Sequence, residues 1–419
     1  MRVPCRKQTT LKTVADFVNG GAWNQTEYSD EGVPVVRVTD IKNETVDLAN
    51  CKFLPKSSLG KYNKHTLHAG DLVICTVGSH PSQPASVVGR AAIVPNSAHG
   101  ALLNQNAVRI RPASPDVDKV WLGYFGRSRT FHEYIIAHAR GSASQVRMAI
   151  GLLKDMPVEV PSIAAQRRIA GILGTYDELI QNSQRRIQIL EEMARALFRD
   201  WFVHFRFPGH DTHPTATSSM GEIPRGWDVK RVPECVVINP RVNVVRDEEK
   251  PFVPMNCLNN DSMVIGDAGS RAGNSGAKFQ NGDILFARIT PCLENGKIGF
   301  VQFLPDARTC ALGSTEFIVL RSRTLTPEFV YLLARSEEFR GNAIKSMSGA
   351  SGRQRVQERC FDHFRVVHPP RAVLDRFSAI VAPSFRTIQV LHQQINNLRR
   401  TRDLLLHRLL SGQVPLSAH

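Results

Sequence analysis

A chain of 419 residues with 29 Gly and 24 Pro spread along it is long enough for at least two cores and is not a low-complexity tract. Its 53 Lys plus Arg against 38 Asp plus Glu, a formal net charge of +15, favours a polyanionic partner. The N-terminus MRVPCRKQTT lacks the apolar region of a signal peptide, no apolar run matches a bilayer, and eight scattered cysteines form no Cys-x-x-Cys pair; a reduced, cytoplasmic, non-membrane protein is expected.

The first body is read over residues 1–160. Val33-Pro-Val-Val-Arg-Val, Gly70-Asp-Leu-Val-Ile-Cys75, Gly89-Arg-Ala-Ala-Ile-Val94 and Ala107-Val-Arg-Ile-Arg have the short apolar runs and turn punctuation of strands. WLGYFGRSRTF, Trp121 to Phe131, follows, then a polar loop beginning at Gly141 and the segment Val158-Glu-Val-Pro161.

A first helical arm is expected over 161–207. Ile169, Leu173, Tyr176, Ile180, Ser183, Ile187, Leu190, Ala194 and Leu197 step by four and three, the spacing that keeps one seam facing a partner helix. The arm runs into RDWFVHFRFPGHD, whose Trp201, Phe202, Phe205 and Phe207 either pack its end or form a surface for a partner protein. A connection over 208–221 follows, marked by Pro208-Gly209 and the Thr/Ser-rich stretch Thr212 to Ser219.

The second body, 222–370, repeats the first. It opens on GEIPRGW, Gly221 to Trp227, and contains GDILFARITPCLENGKIGFV, Gly282 to Val301, which reads as strand, irregular loop, strand rather than a phosphate cradle and helix. Pro251-Phe-Val-Pro-Met-Asn matches the run at Val33, Phe317-Ile-Val-Leu-Arg the run at Ala107, and FVYLLARSEEF, Phe329 to Phe339, the segment at Trp121. Gly349 begins a polar loop like that at Gly141, and Val366-Val-His-Pro369 falls on Val158 to Pro161.

The second arm and C-terminal tail, 371–419, repeat the seam with Phe377, Val381, Ser384, Ile388, Leu391, Ile395, Leu398, Arg402, Leu405 and Leu409. Two arms of about 40 residues, roughly 60 Å each as helices, hide their stripes best by packing together antiparallel. Pro383 predicts that the second helix starts after it or bends there, and Arg402 is expected to cover the seam with its stem while its charge reaches water.

Enzyme signatures are weak. Gly266 to Gly273 is glycine-rich but is not GxxxxGK[ST], and Asn239-Pro240-Arg241 does not supply the Asn/Asp-Pro-Pro-Tyr/Phe motif of a DNA methyltransferase. Glu248-Glu249-Lys250 lacks the Pro-Asp partner of a nuclease site and reads as a solvated turn. His204, His210 and His213 sit in a linker context without a second ligand cluster. No catalytic residue, cofactor site or metal site is assigned.

The duplicated bodies, GDILFARITPCLENGKIGFV with its divergent first copy, IPRGW and the two long helices resemble the specificity subunit of a type I restriction-modification system over essentially the whole chain. The resemblance implies an α/β fold of two similar target recognition domains separated by two long helices packed as an antiparallel coiled coil. It also implies a non-catalytic subunit that binds double-stranded DNA at an asymmetric bipartite target. Its partners would be methyltransferase subunits, two per chain, and motor-nuclease subunits. A solitary DNA-binding regulator and a non-DNA coiled-coil scaffold are the alternatives. Candidate DNA-contacting residues are Arg90, Arg127, Arg129, Arg140 and Arg147 in the first body, and Arg288, Lys297, Arg353 and Arg355 in the second. The first copy replaces ARITPCLENGK with CTVGSHPSQPASVVGR, which fits two different half-site preferences.

Overall fold

The computed structural model describes residues 7–42, 44–78, 86–142, 145–350 and 352–414. Residues 79–85, within the divergent first-copy loop, and 143–144 and 351, within the two polar loops, lie outside the described residues, as does the N-terminal hexapeptide. The chain divides into two compact units, Met1–Glu178 with Leu398–His419, and Leu179–Asn397.

In the first unit, Leu72–Cys75 is buried at every position, as a run of Leu, Val, Ile and Cys requires, and lies between Ala107–Pro112 and Ala91–Ile93 in a six-stranded sheet. Ala15–Asn19 closes one side of Ala107–Pro112 with Phe17 opposite Ile110. A three-stranded sheet, Leu102–Leu103, Val33–Val36 and Lys52–Leu54, forms a smaller layer. Helices Lys119–Gly126 and Arg129–His138 cover the large sheet with Trp121, Leu122, Phe131 and Ile135. Asp118 and Ser128 cap them, accepting the N–H groups of Trp121 and Phe131.

The second unit repeats this order. Ile284–Ala287, fully buried, pairs antiparallel with Ile298–Phe300 and Phe317–Ser322, and Val236–Ile238 closes the edge with Ile238 opposite Leu320. Gly269–Arg271, Lys250–Val253, Ala311–Gly313 and Ala277–Phe279 form the second sheet. Helices Pro327–Arg335 and Glu337–Lys345 are capped by Thr326 and Ser336 through the N–H groups of Phe329 and Phe339. GDILFARITPCLENGKIGFV is therefore strand, loop and strand, with Ile284 opposite Phe300.

One buried ion pair recurs in both copies and was not read from the sequence. Gly70, at φ +81°, turns the chain so that Asp71 accepts the His68 N–H at 2.7 Å and takes Arg111 in two bonds of 2.8 and 2.6 Å. Gly282, at φ +87°, does the same for Asp283, which accepts the Gln280 N–H at 2.8 Å and takes Arg321 at 2.7 and 2.6 Å. Positive φ is why glycine precedes each aspartate. Burial opposes the Asp71 charge, yet the Arg111 guanidinium and the His68 N–H hold its carboxyl below the ordinary aspartate value.

The two arms are helices Ile163–Phe202 and Arg371–Leu410. In the first unit Ile169 and Leu173, near the start of one, share a core with Leu406 and Leu409, near the end of the other. In the second unit the pairing reverses: Phe198, Trp201 and Phe202 pack edge or tilted on Phe377. The two helices are thus packed antiparallel. Ile180, Ile187, Ala194, Val381, Ile388, Leu391 and Ile395 are buried, while Tyr176, Leu190, Leu197, Leu398 and Leu405 are partly buried at the seam edge. The second helix runs through Pro383, which is exposed, so the expected late start is corrected.

Arg402 is a further correction. Its side chain is 7% exposed, and its head, instead of reaching water, pairs with Asp177 at 2.6 Å, Glu44 at 2.7 Å and Asp403 at 2.8 Å. Arg127 meets Asp177 and Glu44 from the other side, and the Tyr124 hydroxyl donates to Asp177. Burial alone would disfavour the Arg402 charge, but these carboxylates raise its pKa.

Trp201, Phe202 and Phe207 are buried, and Phe202, Phe205 and Phe207 contact Trp227, so the packing alternative describes this cluster. Trp227, from GEIPRGW, links Phe202, Phe205 and Phe207.

Candidate nucleic-acid interface

The polar loops after the second helix of each body form hairpins at equivalent places. Arg140–Ser142 pairs antiparallel with Gln145–Arg147, putting Arg140 opposite Arg147, and Arg147 also pairs with Val77. In the second unit Ser348 and Arg355 exchange backbone hydrogen bonds at 3.0 and 2.9 Å, and Arg355 also bridges Ile289. A shift of 208 residues carries Arg140 onto Ser348 and Arg147 onto Arg355.

Arg140 and Arg147 are both exposed, on directly opposed positions. Like charges so placed destabilise a strand pair, and an anion lying over them reverses the sign of that term. Arg140 spends one nitrogen on the carbonyls of Ala137 and Ala139 at the end of a helix, which fixes its direction. Arg353 is exposed on the second hairpin, beside Gln354, whose carbonyl accepts the Thr290 N–H. Arg355 binds Glu316 through bonds of 2.7 to 3.1 Å and Arg288 binds Glu358 at 2.9 Å and the Val356 carbonyl at 3.1 Å. Arg288, Arg353 and Arg355 therefore converge on one edge of the second unit.

The other candidates are elsewhere. Arg127, 4% exposed, is committed to Asp177 and Glu44. Arg90 is partly buried and donates to the carbonyls of Ile41 and Ser86, and Lys297 donates to Met255 O at 3.1 Å. Arg129, 77% exposed, forms a surface pair with Glu133 at 2.6 Å. A surface pair of this kind is worth at most about 1 kcal/mol and exchanges readily for a phosphate.

Sequence reasoning passed over Arg241 and Lys278. With Asn239, Asn243, Arg288, Thr315, Phe317 and Val319 they line an open cleft of about 530 Å³ in the second unit. The signal was available: Asn239-Pro240 ends a strand, and a basic residue follows directly.

The remaining motifs have local structural roles. His210 bonds the Phe207 carbonyl and His213 the Arg225 carbonyl, and among the described residues no group of three His, Cys, Asp or Glu could hold a metal ion. Glu249 accepts from Ser270, while Lys250 is buried and donates to the Glu248 carbonyl. Gly269–Arg271, within the glycine-rich stretch, is an edge strand on Lys250–Val253. Burial pushes the Cys75 thiol up to about 12, which makes it unreactive at neutral pH. No helix among the described residues is long and apolar enough to cross a membrane.

The structure is thus a duplicated mixed helix-and-sheet body, each copy packed on both long helices and carrying an exposed arginine, Arg147 or Arg353, on a hairpin. Residues 7–192 match the family described as the type I restriction modification DNA specificity domain. The chain is a relative of type I restriction enzyme specificity subunits. It is 24% identical to the MjaIX specificity subunit of Methanocaldococcus jannaschii over 345 residues, 78% of this chain and 75% of that protein. It is 28% identical to the EcoEI specificity subunit of Escherichia coli over 195 residues, 44% of this chain but only 32% of that protein. The fold is similar to the crystal structure of a type I restriction-modification S subunit from M. genitalium, with TM-score 0.55, 13% identity and coverage of 99% of this chain and 97% of that one.

Proposed function

We propose that this chain is the non-catalytic, sequence-specific subunit that directs type I methyltransferase and restriction partners to an asymmetric bipartite target in double-stranded DNA. The observation that carries this reading is the recurrence of a hairpin, with Arg147 and Arg355 at equivalent positions, in two bodies built on the same Asp–Arg pair. In this reading 1–160 and 222–370 are the target recognition domains, 161–207 and 371–419 the spacer arms, and 208–221 the connection. Arg140, Arg147, Arg353 and Arg355 face DNA, Arg129 contacts phosphate, and Arg90, Arg127, Arg288 and Lys297 hold the surfaces that present them. Arginine suits either a phosphate or the O6/N7 edge of guanine.

The duplication supports two methyltransferase subunits per chain, one for each recognition domain and adjoining arm, with motor-nuclease subunits joining that complex. The arms act as a spacer: one helical turn, about 5.4 Å, corresponds to between one and two base-pair rises of about 3.4 Å.

The test is co-expression with methyltransferase subunits from the same genome, purification, and methylation mapping across a genome. A complex that methylates one split motif is expected, and the isolated chain with S-adenosylmethionine, Mg²⁺ and ATP should bind DNA but neither methylate nor cut it. DNA binding without methyltransferase association would indicate a solitary regulator. Association with proteins and no DNA binding at low salt would indicate a scaffold.

A further inference from the structure

The cleft of the second unit exists because two equivalent strands end differently. Ladder registers equate Phe17 with Ile238, since each stands opposite a residue, Ile110 or Leu320, of the central strand. In the first unit the chain stays on the sheet for several more residues: the Gly20 N–H reaches the Ala107 carbonyl at 2.9 Å and the Gly21 N–H the Leu103 carbonyl at 2.8 Å. In the second unit it leaves at Asn239, at φ +48°, followed by Pro240, which has no N–H to offer a ladder. The Asn239 side chain takes over the lost pairing by accepting the Val319 N–H at 2.9 Å. Beyond that point no strand pairs with this edge of Phe317–Ser322, and the cleft lies along it with Phe317 and Val319 in its wall.

The same place in the first unit is closed. Gly20, the counterpart of Arg241, packs so tightly that a Cβ there would lie 1.8 Å from the Asn104 carbonyl oxygen. A Cβ on Gly21 would meet Trp23 at 2.5 Å and His65 at 2.9 Å. Arg109, the counterpart of Val319, donates to the carbonyls of Lys64 and Thr66. Backbone, tryptophan and histidine fill what is open in the second copy.

The open copy is basic. Its lining includes Arg241, Lys278 and Arg288 and no carboxylate. Two acids adjoining the lining are already engaged, Glu316 with Arg355 and Glu358 with Arg288. Among the described residues Arg241 and Lys278 form no ion pair. Uncompensated cations in a concave, low-dielectric surface focus a positive potential. Asn243 and Thr315 add neutral hydrogen-bonding groups at the rim.

We propose that this cleft grips the sugar-phosphate backbone of one DNA strand at the second unit's half-site, with Arg241 and Lys278 each on a phosphate, and that the first unit has no such grip. The inference rests on the DNA-binding reading above. The two copies then differ in how they hold DNA, beyond which bases they read: the second half-site carries more of the salt-dependent affinity.

The experiment measures affinity of the full chain for a mixed-sequence duplex as a function of salt. Each phosphate contact contributes about 0.9 to the slope of log affinity against log salt, so Arg241→Ala with Lys278→Ala should reduce that slope by about 2 and Arg241→Ala alone by about 1. Arg241→Lys with Lys278→Arg should keep the slope. A control pair of exposed arm residues in the same unit, Arg376→Ala with Arg386→Ala, removes equal charge and should leave it nearly unchanged. An unchanged slope in the cleft variant, an equal loss in the control pair, or loss in the charge-conserving pair overturns the inference. Failure of the unsubstituted chain to bind duplex at low salt instead overturns the functional reading beneath it.

Discussion

Arg402 occupies a seam position where coiled-coil logic favours leucine, so Arg402→Leu separates the helical pattern from the electrostatics built around it. On the pattern alone the change should stabilise, by up to the roughly 1.5–3 kcal/mol of a newly buried leucine. The structure predicts the opposite sign. Arg402 supplies charge-assisted bonds to Asp177 and Glu44, each worth about 1.5–3 kcal/mol when buried. After its removal Asp177 retains Arg127 and the Tyr124 hydroxyl, and Glu44, 40% exposed, reaches water. The expected net loss is therefore about 1–2 kcal/mol.

Asp177→Asn should cost more, about 3–5 kcal/mol, because it leaves two guanidiniums, 7% and 4% exposed, with Glu44 as their main shared counter-charge. Hydrogen exchange at amides 169–178 and 398–409 in the full chain reads the local opening energy without assuming two-state unfolding of both units. A gain in protection in Arg402→Leu, or a milder effect of Asp177→Asn, would refute the reasoning. The pH dependence has a defined sign. Although burial works against it, the arginines lower the folded pKa of Asp177. Its contribution is full above the ordinary value near 4 and is lost as pH falls through the folded value.

Ile180 is 5% exposed and Gln181 exposed, so Ile180→Asp should cost several kcal/mol in urea unfolding while Gln181→Asp stays within about 0.5 kcal/mol. Asp283→Asn, which breaks a bidentate pair on a carboxylate 1% exposed, should cost about 3 kcal/mol in the same assay, and a cost below 1 kcal/mol would mean that Arg321 re-pairs through water. Glu191 is raised by burial despite accepting from Ser262 at 2.6 Å and the Met263 N–H at 2.8 Å, so stability from this group is present below its ordinary value and lost as pH rises through the folded one. Glu191→Gln should then be neutral near pH 4 and stabilising at pH 7, checked by paired melts. Arg353→Ala should relax one half of the methylated motif if the residue reads a base, whereas uniform loss at all sites would assign it to phosphate.

What was legible in the sequence is what repeats locally. The 4,3 spacing picked out the buried Ile169, Leu173, Ile180, Ile187, Ala194, Phe377, Val381, Ile388, Leu391 and Ile395 because helix periodicity depends only on neighbours, but it also named the partly buried Tyr176 and Leu190, and Ser384 in place of its buried neighbour Phe385. The strand pair in GDILFARITPCLENGKIGFV was equally local. The Asp–Arg pairs were not seen because their members stand 40 and 38 residues apart, although a repeated Gly-Asp followed by an arginine at nearly constant distance was a usable signal. Arg402 was misread because its partners come from distant positions, Glu44 and Asp177, which no helical repeat reveals. Among the basic candidates, residue type and loop context did not separate Arg127, held by carboxylates, from Arg147, left exposed.

The same 208-residue shift that aligns the bodies also shows where the copies were free to diverge. Asp177 falls on Phe385, and Arg402 falls on Ala194. Where the first unit builds an ionic cluster under its arms, the second packs Phe385 against Phe300 and Tyr331 in edge-to-face contacts. Both solutions tie a helix to its body, but an ionic cluster demands its partners at fixed angles whereas aromatic packing tolerates replacement by other large side chains. A polar joint in the first unit and an apolar joint in the second also penalise cross-pairing, because the wrong body would bury either a charge without a partner or an aromatic face against guanidinium and carboxylate. The bidentate Asp–Arg pair recurs in both copies, although Asp71 alone also takes Lys119, at 3.3 Å. The differences lie at the arm joints and at the sheet edge ending in Gly20-Gly21 or Asn239-Pro240, so the two copies keep one scaffold and vary its attachments and one edge of its sheet.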